Sequence, residues 1–138
     1  MNYTYRNQPL TDKEKQALET AFKEYDQEHN VIYPPEIPLS ILAYDKDKLI
    51  GAAVGRIWAN WLYISDLWVA KDYRQQGIAK KLLHDLETEA KKHHVIGSHT
   101  WTASYNAPDF YQKHGYELAL ELKDKPLGYS SFVCRKYF

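Results

Sequence analysis

Cysteine is almost missing from this chain of 138 residues: the one present is Cys134. No disulfide can form within the chain, and the composition suits a reducing compartment. Cys134 falls in an apparent strand, Phe132-Val133-Cys134, and reads as a packing position rather than a catalytic thiol. Net charge is missing as well, with 18 Lys+Arg against 18 Asp+Glu. No global field therefore draws in nucleic acid or a membrane surface, and any anion site must be local. No apolar run approaches the ~18 residues of a membrane span. The start, Met1-Asn2-Tyr3-Thr4-Tyr5-Arg6, lacks the apolar stretch of a signal peptide, so the cytoplasm is the expected location. Repeats, low-complexity tracts and linkers are also wanting, which leaves one domain over 1–138 with one core. His93-His94, with Glu89 before them, do not make a metal site. Neighbouring helical side chains point about 100° apart, so the pair cannot chelate together and suits a helix end instead. No metal is expected.

What the chain does have is aromatics, at 14% with 12 tyrosines, and one informative stretch. Several of the rings must lie at a site or interface. The stretch runs from Leu67-Trp68-Val69 through Ala70 to Leu83. An apolar strand closes at Ala70, a charged loop follows, and from Ile78 the apolar residues Ile78, Ala79, Leu82, Leu83, Leu86 and Ala90 take helical spacing. Between them stands Arg74-Gln75-Gln76-Gly77-Ile78-Ala79. Gly77 lets the backbone approach a ligand closely, and Ala79 is nearly as small. The first-turn amides of a helix are unpaired and carry the positive dipole end, which suits a phosphate or pyrophosphate. Arg74, Lys80 and Lys81 add countercharge there.

This loop resembles the acyl-CoA pyrophosphate loop of the GCN5-related N-acetyltransferases (GNAT), Gln/Arg-x-x-Gly-x-Gly/Ala. A second segment, Asn106-Ala107-Pro108-Asp109-Phe110-Tyr111-Gln112-Lys113-His114-Gly115-Tyr116, resembles the family's Asn/Gln-x-x-x-x-Phe-Tyr-x-x-x-Gly-Phe/Tyr. The likeness runs from about Thr11 to the end. It implies an α+β fold, a mixed twisted sheet of about seven strands with helices on both faces, splayed between its fourth and fifth strands where the acyl-CoA arm enters.

The local signals agree with that order. Tyr3-Thr4-Tyr5 alternates and could be a first strand. Thr11-Asp12-Lys13-Glu14 is a capping box, opening a helix that fades near His29-Asn30. The prolines of Tyr33 to Pro38 predict a loop. Strands follow over 39–44, 49–58 and 61–69, with turns at 45–48 and at Ala59-Asn60. Gly51 and Gly55 suggest a bulge or close packing, and apolar residues on both sides of the third strand suggest cover on both faces. A long helix is predicted from about Gln76 to His93, a strand over 97–102, and a short helix from Asn106 that Gly115 stops. Two closing strands, 116–122 and 129–136, complete the chain.

The resemblance also implies roles. Acetyl-CoA (coenzyme A) would serve as co-substrate, held by Arg74, Gln75, Gln76, Gly77, Ile78, Ala79 and Lys80. Backbone N–H groups of Leu67, Trp68 and Val69 would stabilise the oxyanion and pair with the pantetheine arm. Asn106 would contact that arm, and Tyr111 would be the general acid for the leaving thiolate. Packing of the Phe110-Tyr111 pair is the plainer alternative. Asp66, two residues before Trp68, is the candidate base, with partial burial expected to tune it; a solvated carboxylate is the alternative, and Glu28, His29 and Glu36 are other candidates. Trp58 and Trp61 flank a turn, where a stacking platform, turn packing or a dimer contact are all open.

The implied activity is acetyl transfer to a primary amine of a small molecule or peptide, by direct attack in a ternary complex. A non-catalytic acyl-CoA-binding sensor or assembly module is the rival. A Rossmann nucleotide binder fits poorly, because three successive strands precede the loop. The final strands resemble those through which many relatives form homodimers. The acceptor itself is not legible.

Overall fold

The computed structural model describes residues 1–106 and 108–138; Ala107, part of the downstream motif, lies outside them. The chain divides into two compact units, Met1–Tyr33 and Pro34–Phe138.

In the first unit, α1 (Asp12–Glu28) starts at the expected capping box. The Glu14 N–H donates to Thr11 Oγ1 at 3.2 Å, and the Thr11 N–H donates to Glu14 Oε2 at 2.8 Å. Arg6 pairs with the same carboxylate at 2.6 Å and, with these bonds, holds it below the usual carboxylate range. The expected first strand is not there: Tyr3-Thr4-Tyr5 is irregular, and the Tyr3 hydroxyl donates to Met1 Sδ. Alternation supplies strand propensity, but a strand exists only where a neighbour completes its ladder. Among the described residues the sheet therefore has six strands rather than seven.

The second unit holds that sheet, ordered β1-β2-β3-β4-β6-β5. Its strands are β1 (Ile37–Asp45), β2 (Lys48–Trp58), β3 (Trp61–Val69), β4 (Gly97–Ala103), β5 (Glu117–Lys123) and β6 (Ser130–Tyr137). Every pairing is antiparallel except β3 with β4. Pro38, expected in a loop, falls inside β1, because β1 is the edge strand and one side of it has no ladder to donate to. The β2–β3 hairpin turns at Ala59-Asn60, both with positive φ (48° and 67°), as the twist of a tight hairpin requires.

Helix α2 (Ile78–Lys91) packs on β1, β2 and β3. Its apolar stripe of Leu82, Leu83, Leu86 and Ala90 meets Ala53, Ile57, Leu62 and Ile64 in the core. The strands come this close because Gly51 has no side chain: a Cβ there would stand 3.0 Å from Leu82 Cδ1 and 3.2 Å from the Trp68 carbonyl. Helix α3 (Pro108–Lys113) adds Phe110 and Tyr111 to the same core, with Cys134 fully buried beside it. We call this the inner face. It also holds a polar cluster, in which buried Glu87 of α2 accepts from Tyr116 Oη at 3.0 Å and from Lys136 Nζ at 2.9 Å. Tyr116 Oη is 2.9 Å from Ser98 Oγ of β4. Burial pushes the Tyr116 phenol far above its ordinary value.

Register places the other side chains on the opposite, outer face, since paired residues share a face. There Ala52 faces Trp68, Val54 faces Asp66, Arg56 faces Tyr63 and Trp58 faces Trp61, while His99 and Trp101 continue the face on β4. All 4 tryptophans of the chain lie on it. The cover on both sides expected for β3 is uneven, for Trp68 remains 45% exposed. Trp61 is a packing residue, edge-on to Tyr137 at 5.2 Å and to His99 at 6.0 Å. Gly97 makes that possible, because a Cβ there would come within 2.7 Å of the Trp61 ring.

Candidate functional site

Strands β3 and β4 pair only from Trp61 with Gly97 to Ile64 with Thr100, although β3 continues to Val69 and β4 to Ala103. Beyond that point they diverge. Beside the divergence Ser65 of β3 is an extra residue, unpaired between the Asp66–Val54 and Ile64–Gly55 pairs, and such a bulge bends and twists its strand away from a neighbour. The Thr100 hydroxyl donates to the Ile64 carbonyl at 2.9 Å and closes the last paired step. The open stretch, Ser65 to Val69, keeps one backbone edge without a β4 partner, and this is the splay that the family resemblance implied.

A cavity of about 780 Å³ occupies the opening. It brings together residues that the sequence placed 45 positions apart, from Asp66 to Tyr111: Leu67, Trp68, Val69, Arg74, Gln75, Gly77, Ile78, Ala79, Lys80 and Asn106 also line it. Gln76 alone of the loop does not.

At one end the cavity meets the start of α2. Gly77 is the N-cap residue, with a left-handed φ of 79°, and no side chain caps the helix. Gln75 is left-handed too, at φ 62°. The helix thus begins at Ile78, later than the sequence suggested, because the backbone before it turns the wrong way for a right-handed helix. No acidic residue stands in the first turn, and a Cβ on Gly77 would find no atom within 4 Å. Uncapped amides beside open space form an anion cradle. The loop is fixed from behind, where the Arg74 Nε donates to the Val69 carbonyl at 3.1 Å and Tyr73 Oη donates to Asp45 Oδ2 at 2.6 Å. Lys81, expected to add countercharge, instead pairs with Asp85 at 2.7 Å one turn along. Arg74 and Lys80 remain.

At the other end stands Tyr111, 8% exposed. Its ring packs edge-on to Phe110 at 5.4 Å and to Tyr116 at 5.4 Å. Burial raises the phenol above its ordinary value, and a bond with the Thr100 hydroxyl pulls the other way. The phenol is therefore a proton donor through the neutral range. Asn106 is held by its backbone, with its N–H donating to the Ala103 carbonyl at 2.8 Å and its own carbonyl accepting from Thr102 Oγ1 at 3.1 Å. Asn106 lines the cavity.

Asp66 is on the outer face and exposed, so the partial burial expected of it is not found. It accepts from Ser65 Oγ at 2.8 Å. Of the alternates, Glu36 pairs with Arg56 at 3.1 Å. Glu28 and His29 belong to the first unit, where the His29 ring Nδ1 is 2.8 Å from the Tyr25 carbonyl. His93 and His94 lie past the end of α2. Sequence reasoning missed Trp101 and Tyr105, which also line the cavity. The signal for Trp101 was alternation along β4, too short to show which face opens on a gap, and Tyr105, past the end of that strand, had none.

A mixed sheet parted between a meander and a returning hairpin, with a helix N-terminus aimed into the gap, defines the acyl-CoA N-acyltransferase fold. Residues 3–116 match the acetyltransferase (GNAT) family, and the chain belongs to that family. It is 33% identical over 104 residues to blasticidin-S acetyltransferase of Streptomyces morookaense, covering 75% of this chain and 76% of the relative. Among solved structures, an acetyltransferase from Bacillus cereus ATCC 14579 superimposes with a TM-score of 0.86 at 26% identity, covering 97% of this chain and 98% of that one. A protein from Bacillus anthracis str. Ames, solved in complex with acetyl coenzyme A, shares the fold at a TM-score of 0.67 and 24% identity, covering 76% of this chain and 64% of that one.

Proposed function

We propose that the chain is a single acetyltransferase domain that moves an acetyl group from acetyl-CoA to a primary amine of a small molecule or peptide. The observation that carries this reading is the parted β3–β4 edge, with an anion cradle at one end of its cavity and a buried phenol at the other. That layout suits a co-substrate with a pyrophosphate, an amide-bearing arm and a thioester. The first-turn amides, Arg74 and Lys80 hold the pyrophosphate, with Gln75, Gln76 and Ala79 shaping the loop. The free edge of Leu67 to Val69 pairs with the arm and stabilises the oxyanion, and Asn106 contacts the arm.

The amine nitrogen attacks the thioester carbon, and its surplus proton passes to Asp66, directly or through water. As the carbon–sulfur bond breaks, Tyr111 donates its proton to the departing thiolate. Tyr111 favours this reading over a CoA-binding sensor, since a sensor needs no proton donor beside the sulfur. No described helix is long and apolar enough to cross a membrane; a cytoplasmic location and a homodimer through the closing strands are parts of the proposal. The test is free-thiol release from acetyl-CoA across an amine library. Acetyl-CoA binding without release above hydrolysis for any amine would leave the sensor reading in its place.

A further inference from the structure

The inner side of the gap is occupied by α2, α3 and Tyr111, so an acceptor reaches a thioester in the gap from the outer face. The groups that flank the cavity on that face are Asp66 and Trp68 on β3 and Trp101 on β4. Two of them are unusual. Asp66 forms no ion pair among the described residues and bonds only to the neighbouring Ser65 hydroxyl. Trp101 is 41% exposed and already carries a primary ammonium on its ring, for Lys125 Nζ stands 4.3 Å from the indole centroid. Indole is the strongest ring for seating a cation. Lys125 itself lies on the loop between β5 and β6, outside the cavity lining. A flexible lysine stem can withdraw from the ring at little cost.

We propose that Asp66 and Trp101 select the acceptor as a small organic dication. The reacting amine arrives as an ammonium at Asp66 and sheds one proton to solvent before it attacks, and a second cationic group of the same molecule takes the place of Lys125 over the Trp101 indole. The carboxylate and the indole stand on the two separating strands, so only a molecule with charge at both ends engages both. This rests on the N-acetyltransferase reading and narrows its acceptor.

The test is calorimetric titration of the protein, with and without CoA, using linear diamines from putrescine to hexamethylenediamine. Monoamines and ω-amino acids of matched length are the references, and thiol release from acetyl-CoA is followed on the same series. The best diamine should bind about fivefold tighter than its monoamine, the size expected of an exposed cation–ring contact. Trp101→Leu should erase that preference and leave acetyl-CoA affinity unchanged. Lys125→Ala, on an exposed loop that tolerates substitution, should strengthen diamine binding about twofold by freeing the ring. Equal binding of all three series, or tighter binding of the ω-amino acids to the Lys125 charge, overturns the proposal. So does a Lys125→Ala variant without gain, which decides the matter if Trp101→Leu does not fold. A diamine preference without thiol release keeps this site and removes the enzyme reading; release without preference does the reverse.

Discussion

The two faces of the sheet divide between them what a small enzyme needs. The inner face is closed: Leu62, Ile64, Leu83 and Leu86 are among its fully buried side chains, and among the described residues no buried side-chain polar atom lacks a partner. The outer face is aromatic and charged, with indoles, Tyr63, His99, Arg56 and Asp66 alternating with the inner residues along the same strands. Tyr111 and the loop at Gly77 sit where the two meet. The difference teaches that stability and recognition are segregated by the pleat, so a mutation's phenotype should follow from its parity along a strand.

The strongest way to break that division is to strike the paired charges on each face. Glu87→Ala strands Lys136 and Tyr116 on the inner side, and should lower unfolding free energy by about 3 kcal/mol. Arg56→Ala removes an exposed pair with Glu36, its partners being 58% and 52% exposed, and should change stability by no more than about 0.5 kcal/mol. Denaturant midpoints measure both; equal losses would show that the faces do not differ as described.

Gly77→Asp should abolish the thermal shift that acetyl-CoA gives, a stabilisation of about 2.7 kcal/mol at 100 times Kd. Its matched control is Gly128→Asp, since both glycines have positive φ (79° and 85°) and open space where a Cβ would go. Gly97, also outside the loop, cannot serve: a Cβ there would lie 2.4 Å from the Lys136 carbonyl. Loss of the shift in both variants would deny the loop any special part.

Such close approaches mark the limit of what the sequence discloses. The capping box at Thr11, the Ala59-Asn60 turn and the loop at Gly77 are local, since a few residues and their allowed φ values determine them. The pairing of Glu87 with Lys136, 49 residues apart, leaves no local trace. Neither does the exposure of Asp66, nor the failure of Tyr3 to Tyr5 to find a strand partner. Each depends on what the rest of the chain brings alongside.

A smaller effect probes the boundary between the faces. Tyr111→Phe keeps the ring contacts with Phe110 and Tyr116 and removes one hydroxyl. It should lower kcat at least tenfold, the low end for a positioned acid being about 10². Acetyl-CoA affinity and Tm should stay nearly unchanged. Because burial raises this phenol, no loss of rate from its ionisation should be seen below about pH 10. Destabilisation with proportional loss of binding would mark Tyr111 as packing alone.

The mildest test is pH. Burial, with Arg56 adding to it, holds His99 below the ordinary histidine value. The unfolded chain then binds the extra proton first, so the contribution is complete above about pH 6.5 and is lost as pH falls through the lower folded value. Tm should drop slightly between neutral and mildly acidic buffer, and less in His99→Gln. An identical slope in both would assign the drop to other groups, His114 among them.

The short parallel contact of β3 with β4 has a further meaning for how the chain could be taken apart and rebuilt. Residues 37–91 make β1, β2, β3 and α2, and residues 97–138 make β4, α3, β5 and β6. Each block is contiguous and pairs its strands within itself, so the strand pairing of one needs no contact from the other. The blocks meet along that one seam, clasped by Glu87 from the first reaching Tyr116 and Lys136 of the second. The connecting segment, 92–96, is the natural place to cut the polypeptide into complementary halves, which would regain the cleft only on reassociation.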